Sequence, residues 1–368
     1  MKIDELLIKT KELPIISLAA TLAYKEKTPA MTKYVDEKLN SMPEIYSLIG
    51  NSDMQVLYDN HKHHAAFIGT VFSLGNYELL CKTIPWVYRS YHNHKFSYDY
   101  FPVELKAWKE AIDKYIDNNL ATEIKNIYNW MIDNHEIFIE LSLTDLSYLM
   151  PIGEDNHAVK SSFQSSLIDG DHQKCMAIAL ENIKTTPEME PFYIQIIQPT
   201  MYEIGTLWER GELSVANEHL ASAIVGRVMA AINMTTIKPL KSQGKIVVTA
   251  SPNEFHEIGA WMVADILENE GWDVSYLGAN VPHNDLIQFL LSTIPDVLAI
   301  SITMPFNIEK AREVIELSKK HSELKNMKII IGGRVFNDNP ELWHSTGADN
   351  FAATILEAKE IIQQWEKK

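Results

Sequence analysis

The chain has 368 residues, 46% of them hydrophobic, and a formal net charge of −16, enough to build several compact cores but opposed to binding a nucleic-acid phosphate backbone, which needs a basic patch. Two cysteines, Cys81 and Cys175, exclude a disulfide framework and a thiolate zinc site. The charged start MKIDELLIKTKELP is unlike a signal peptide, and no apolar run reaches membrane-spanning length, so a cytoplasmic protein without nucleic-acid or membrane partners is expected.

Residues 1–150 read as an all-α domain. Helices are expected over 3–11, 54–74, 77–92, 102–118 and 121–141, with connectors at 25–32 and 97–102. His61, His63 and His64 fall on one helix, and Trp86, Tyr88, Arg89, Tyr91, His92, His94 and Lys95 on or just after the next. His61 and His64 share a helix face, and His63 does not. Three readings stay open for this concentration. One is a metal site, for which no nearby carboxylate or cysteine completes a tight cluster. Another is surface histidines beside ordinary core aromatics. The third is a pocket for a flat conjugated pigment lined by His61, His64, Trp86, Tyr88 and Arg89. Cys81 is expected to be a buried, inert side chain.

Residues 155–238 are expected to form a small four-helix bundle, with helices over 157–168, 171–182, 187–208 and 214–234. Apolar residues recur at helical spacing, as in Ile194, Ile197, Met201, Ile204 and Leu207. Trp208 is followed, after nine residues, by Glu218–His219. By themselves these are a core aromatic and a helix start with its acid near the N-terminus, or an aromatic plate and two polar groups suited to covering a bulky ligand. Pro239 and the stretch from Lys241 to Gly244 make a linker.

From Lys245 the pattern changes. An apolar β-branched run to Ala250 is followed by a polar loop with Glu254 and His256, then Gly259 and an amphipathic helix. Further strands are expected over 273–277, 296–302 and 327–331. The third is nearly all apolar, as a strand covered on both faces should be. Alternation with helices predicts a doubly wound, flavodoxin-like (Rossmann-type) α/β domain with a parallel sheet over 244–368. His256 then stands at the C-terminal edge of the first strand, where open α/β sheets bind ligands. Ser301 and Thr303 end the third strand, and Gly332–Gly333 end the fourth, where a bulky ligand can approach the backbone closely.

The Glu–x–His–x–x–Gly arrangement, with Ser301, Thr303 and the glycine pair, resembles the cobalamin-binding module. The resemblance implies that His256 is the lower ligand to the cobalt, that Glu254 orients its imidazole, and that the detached nucleotide tail enters the sheet beside Ser301, Thr303, Gly332 and Gly333. Glu254 stands where the family usually has aspartate, and Thr303 where it has leucine. Trp208 with Glu218–His219 resembles the Trp-x9-Glu-His motif of the adenosylcobalamin light sensors related to bacterial carotenoid-gene repressors, in which the bundle caps the upper corrin face. In those sensors a histidine follows the tryptophan, whereas Glu209 is found here. The overall arrangement is similar to the photocobilins, which add biliverdin to cobalamin. These likenesses imply a non-enzymatic light sensor acting through a light-dependent homo-oligomer or a signalling partner. The alternative is a corrinoid protein carrying methyl groups between methyltransferases.

Overall fold

The computed structural model describes residues 2–144, 156–235, 243–337 and 339–366. The chain divides into two compact units, Met1–Ser147 with Glu209–Glu212, and Tyr148–Trp208 with Leu213–Lys368. The expected boundary at 150–155 and the linker as far as residue 242 lie outside the described residues.

The first unit is all-helical among its described residues: α1 (Lys2–Thr10), α2 (Leu18–Asn40), α3 (Ile45–Leu48), α4 (Met54–Leu74), α5 (Glu78–Asn93), α6 (Tyr100–Tyr115), α7 (Asn118–Asp133) and α8 (His135–Ser142). The α4 bounds match the expectation because its ends are written locally. The Asp53 carboxylate accepts from the Gln55 N–H, and Gly75 closes the helix at φ 58°. Two expectations are corrected. Residues 25–32 are the interior of α2, not a connector. Pro29 removes a helical hydrogen bond, but the buried face of Tyr24, Met31, Thr32 and Val35 carries the helix through it. The single helix expected over 121–141 breaks at Asn134, whose side-chain amide donates to the Trp130 carbonyl at 2.8 Å.

The second unit begins with α9 (His157–Ile168) and α10 (His172–Asn182). The helix expected over 187–208 is a composite: a 3-10 turn (Thr186–Glu188), α11 (Met189–Phe192), a π turn (Tyr193–Ile197) and α12 (Gln198–Glu209). Pro199 has no N–H to offer the Gln195 carbonyl, and the backbone widens there into the π turn. Helix α13 (Val215–Thr235) completes the bundle. Its core runs on into Met262 and Ile266 of the sheet's first helix. The Tyr193 hydroxyl donates to Asp265 in that helix at 2.7 Å.

The sheet comprises β1 (Lys245–Ala250), β2 (Asp273–Gly278), β3 (Val297–Ser301), β4 (Lys328–Gly332) and β5 (Asn350–Ala352), with α14 (Ile258–Asn269), α15 (His283–Thr293), α16 (Ile308–Lys320) and α17 (Ile355–Glu366). All pairs are parallel, in the order β2-β1-β3-β4-β5. This is the flavodoxin-like order, with its topological switch between β1 and β3. The register aligns Ala250 with Ser301, Ser301 with Gly332 and Gly332 with Ala352. The residues assigned to a ligand therefore come to one edge. Strand β5 was not foreseen, because three residues show no alternation to read.

Candidate functional site

His256 lies in the loop between β1 and α14. The side chain of Glu254 turns back beneath it and is fully buried. One carboxylate oxygen accepts from the backbone N–H of Phe255 (3.1 Å) and of His256 (3.2 Å), and lies 2.5 Å from His256 Nδ1. The other accepts from the N–H groups of Thr303 and Met304 (2.9 Å each) and from Asn307 Nδ2 (3.0 Å). Burial works to raise the carboxyl's pKa, but the bond and charge of His256, with donors from Met304 and Asn307, hold it down to about 2. Glu254 is thus an ionised acceptor that fixes the proton of His256 on Nδ1.

The imidazole itself is 60% exposed, which leaves Nε2 as a lone pair facing outward. Burial of its base opposes imidazolium formation, yet the bond and charge of Glu254, joined by the charge of Glu218, raise the pKa, and Arg334 opposes that rise. Glu218, in the first turn of α13, accepts from Ser222 Oγ at 2.8 Å and pairs with His219 Nδ1 at 3.0 Å. Trp208 is half-buried on α12, and His219 is 75% exposed. Next to these residues in sequence stand exposed apolar side chains, Phe255, Val215 and Leu220.

At the sheet's edge a cavity of about 100 Å³ is lined by Gly259, Ser301, Gly332 and Gly333, with Gln198 and Tyr202 from α12. No side chain lining it is charged. Gly333 holds φ at 109°, and a Cβ there would meet the Ile302 carbonyl oxygen at 2.2 Å. The space in front of Gly259 is open, with no atom within 4 Å of an added Cβ. Thr303 serves Glu254 through its backbone N–H. Sequence reasoning missed Asn307, Tyr202 and Arg334. Of these, only Arg334 carried a signal, as a cation directly after the glycine pair.

The residues assigned to a pigment in the first unit are engaged by their neighbours. His61 is fully buried, with Nδ1 2.5 Å from Asp36 and Nε2 3.1 Å from the Tyr100 hydroxyl. His64 stacks on Trp108 with ring centroids 5.2 Å apart and meets the Tyr128 hydroxyl at 3.1 Å; burial pushes its pKa down. Tyr88 stacks flat on Phe101 at 3.7 Å, and its hydroxyl lies 2.9 Å from His135 Nδ1. Arg89 donates to the Glu209 carboxylate at 2.5 Å and to the Thr144 carbonyl at 3.1 Å, and Trp86 is half-buried. A carboxylate, Asp36, does reach His61, from another helix and 25 residues away in sequence. Even so, among the described residues no group of three or more His, Cys, Asp or Glu side chains is placed to hold a metal ion. The Cys81 thiol is buried and its pKa is pushed up to about 12 by that burial, so it is not a ready nucleophile.

Residues 244–361 match a family model described as B12 binding domain, and residues 160–233 match a second model of the same description. Dimethylamine corrinoid protein 2 of Methanosarcina acetivorans is 26% identical over 191 residues, 50% of this chain and 87% of that protein. The HTH-type transcriptional repressor CarH of Myxococcus xanthus is 31% identical over 121 residues, 33% of this chain and 40% of that protein. The solved structure of the Methanosarcina barkeri monomethylamine corrinoid protein is similar with a TM-score of 0.50 at 15% identity, over 57% of this chain and 99% of that one, a likeness of fold. Residues 160–233 and 244–361 are thus cobalamin-binding domains. The site fits that cofactor: His256 Nε2 is free to ligate cobalt, and the uncharged cavity suits the flat base of the nucleotide tail. No helix of the described residues is long and apolar enough to cross a membrane.

Proposed function

We propose that this protein is an adenosylcobalamin light sensor, with His256 as the lower cobalt ligand and Trp208, Glu218 and His219 over the opposite corrin face. The observation that supports this most is the exposed imidazole of His256, held through Nδ1 by the buried Glu254 carboxylate at 2.5 Å at the C-terminal edge of the sheet. In this reading a bound corrinoid would meet that imidazole on one side and the helical bundle on the other. When bound, adenosylcobalamin supplies a light-labile cobalt–carbon bond. Trp208 offers an aromatic plate to the adenosyl group, and Glu218 an acceptor to its hydroxyls. These contacts favour the dark arrangement only while that group is attached, which is the differential contact a switch requires. Glu209 stands next after Trp208, so no imidazole is offered to the cobalt from that position. Output through oligomer state or a partner protein, without catalysis, completes the reading. Biliverdin as a second chromophore in the first unit would have to displace Asp36, Phe101 and Glu209 from His61, Tyr88 and Arg89.

Size-exclusion chromatography of the adenosylcobalamin-loaded protein, in the dark and after green light, tests this. Illumination should bleach the adenosyl spectrum and change the elution volume, and Trp208→Ala should shrink that change. Unchanged elution with photolysis confirmed by absorption would contradict the sensor. The second reading is a methyl carrier, favoured by the match to 87% of a dimethylamine corrinoid protein. It expects methylcobalamin and adenosylcobalamin to bind alike, with elution indifferent to light.

A further inference from the structure

Arg334 leaves the sheet edge directly after Gly333, is exposed, and lies over the Tyr202 ring with its guanidinium carbon 5.6 Å from the centroid. Among the described residues no carboxylate pairs with it. Arg312, the other arginine nearby in sequence, by contrast has Glu309 and Glu316 beside it. The stem of Arg334 is fixed on both sides. Gly333 is pinned against the Ile302 backbone, and Val335 and Phe336, which follow, are buried. Tyr202 and Gly333, its two neighbours, line the sheet-edge cavity, as does Asn337 one turn on.

The chemistry of the nucleotide tail meets this arrangement in two parts. Its flat base suits a narrow cavity lined by uncharged groups. Its phosphodiester carries a negative charge that such a lining would leave uncompensated, at a large desolvation cost, so it belongs at the rim. Arg334 is the cation at that rim. A guanidinium presents a planar fork of donors matched to two phosphate oxygens. We infer that Arg334 binds the phosphodiester of the cobalamin nucleotide tail and makes the protein select complete corrinoids over those that lack the tail. The inference rests on the cobalamin site described above, and Arg334 is a specificity residue, distinct from the cobalt ligand.

The test compares three ligands with the same upper group: cobalamin, cobinamide phosphate, which keeps the phosphate without the base, and cobinamide, which has neither. Affinity is read by calorimetry on the full chain. Arg334→Ala should weaken cobalamin and cobinamide phosphate about tenfold to a hundredfold, the range for a charge-assisted hydrogen-bonded pair, and leave cobinamide within about twofold, with unchanged melting because the side chain is exposed. Arg334→Lys should recover part of the loss, and added salt should narrow the gap between variant and parent. An equal loss for all three ligands would assign Arg334 to holding Tyr202 and overturn the inference while leaving the cobalamin site standing. Failure of the parent protein to bind any of the three would overturn both.

Discussion

Gly333→Ala is expected to destabilise the second unit by about 3 kcal/mol or more. The position combines two independent penalties. Its φ of 109° is a backbone state that side chains with a Cβ rarely adopt, and an added Cβ would lie 2.2, 2.7 and 2.8 Å from the O, N and C atoms of Ile302. Those atoms cannot retreat freely, because the Ile302 N–H donates to the Gly332 carbonyl at 2.9 Å and holds β3 to β4. At about 2 to 4 °C per kcal/mol for a unit of this size, melting should fall by about 6 to 12 °C. A change below about 2 °C would show that the strand ends can part without cost.

Glu254→Gln carries the second large effect, and its pH signature distinguishes it. The carboxyl is lowered from 4.5 to about 2 in the folded chain. A depressed carboxyl contributes stability above its unfolded pKa and loses it as pH falls through the folded value. The contribution, about 3 kcal/mol in order of magnitude, is therefore complete above about pH 5 and lost progressively towards pH 2. Glutamine keeps the shape but turns an amide N–H₂ towards the Thr303, Met304 and Asn307 donors or the imidazole. The variant should be less stable at neutral pH, and its denaturation profile should lack the steep acid loss between pH 4.5 and 2 that the parent shows. Parallel profiles for parent and variant through that window would remove Glu254 from this role.

What the sequence made legible was local. Strands β1, β3 and β4 show as apolar runs with β-branched residues, α4 is bounded by Asp53 and Gly75, and Glu254 and His256 are two residues apart on one loop. What it hid was set by topology. The donors that complete the Glu254 cage, Thr303, Met304 and Asn307, arrive from 49 to 53 residues away, because β1 and β3 are neighbours in the sheet and not in the chain. Asp36 reaches His61 in the same way, from α2 to α4. Pro29 reads as a break in any local rule, and only the buried face of α2 overrides it. The first unit shows the limit most plainly. Its histidines and aromatics admit a metal site, a pigment pocket or ordinary packing from the sequence, because the partners of His61, His64 and Tyr88 come from other helices.

The central claim is that His256 Nε2 is the lower ligand of bound cobalamin, and electron paramagnetic resonance of the cobalt(II) form tests it most directly. An axial nitrogen splits each cobalt line by its own nuclear spin, so the ligand's isotope is written in the pattern. Protein grown with ¹⁵N-labelled histidine and loaded with unlabelled cobalamin should show doublets, and His256→Ala should lose them. Triplets in the labelled protein would mean that the cofactor's own ¹⁴N base holds the cobalt, and the account of this site would be wrong.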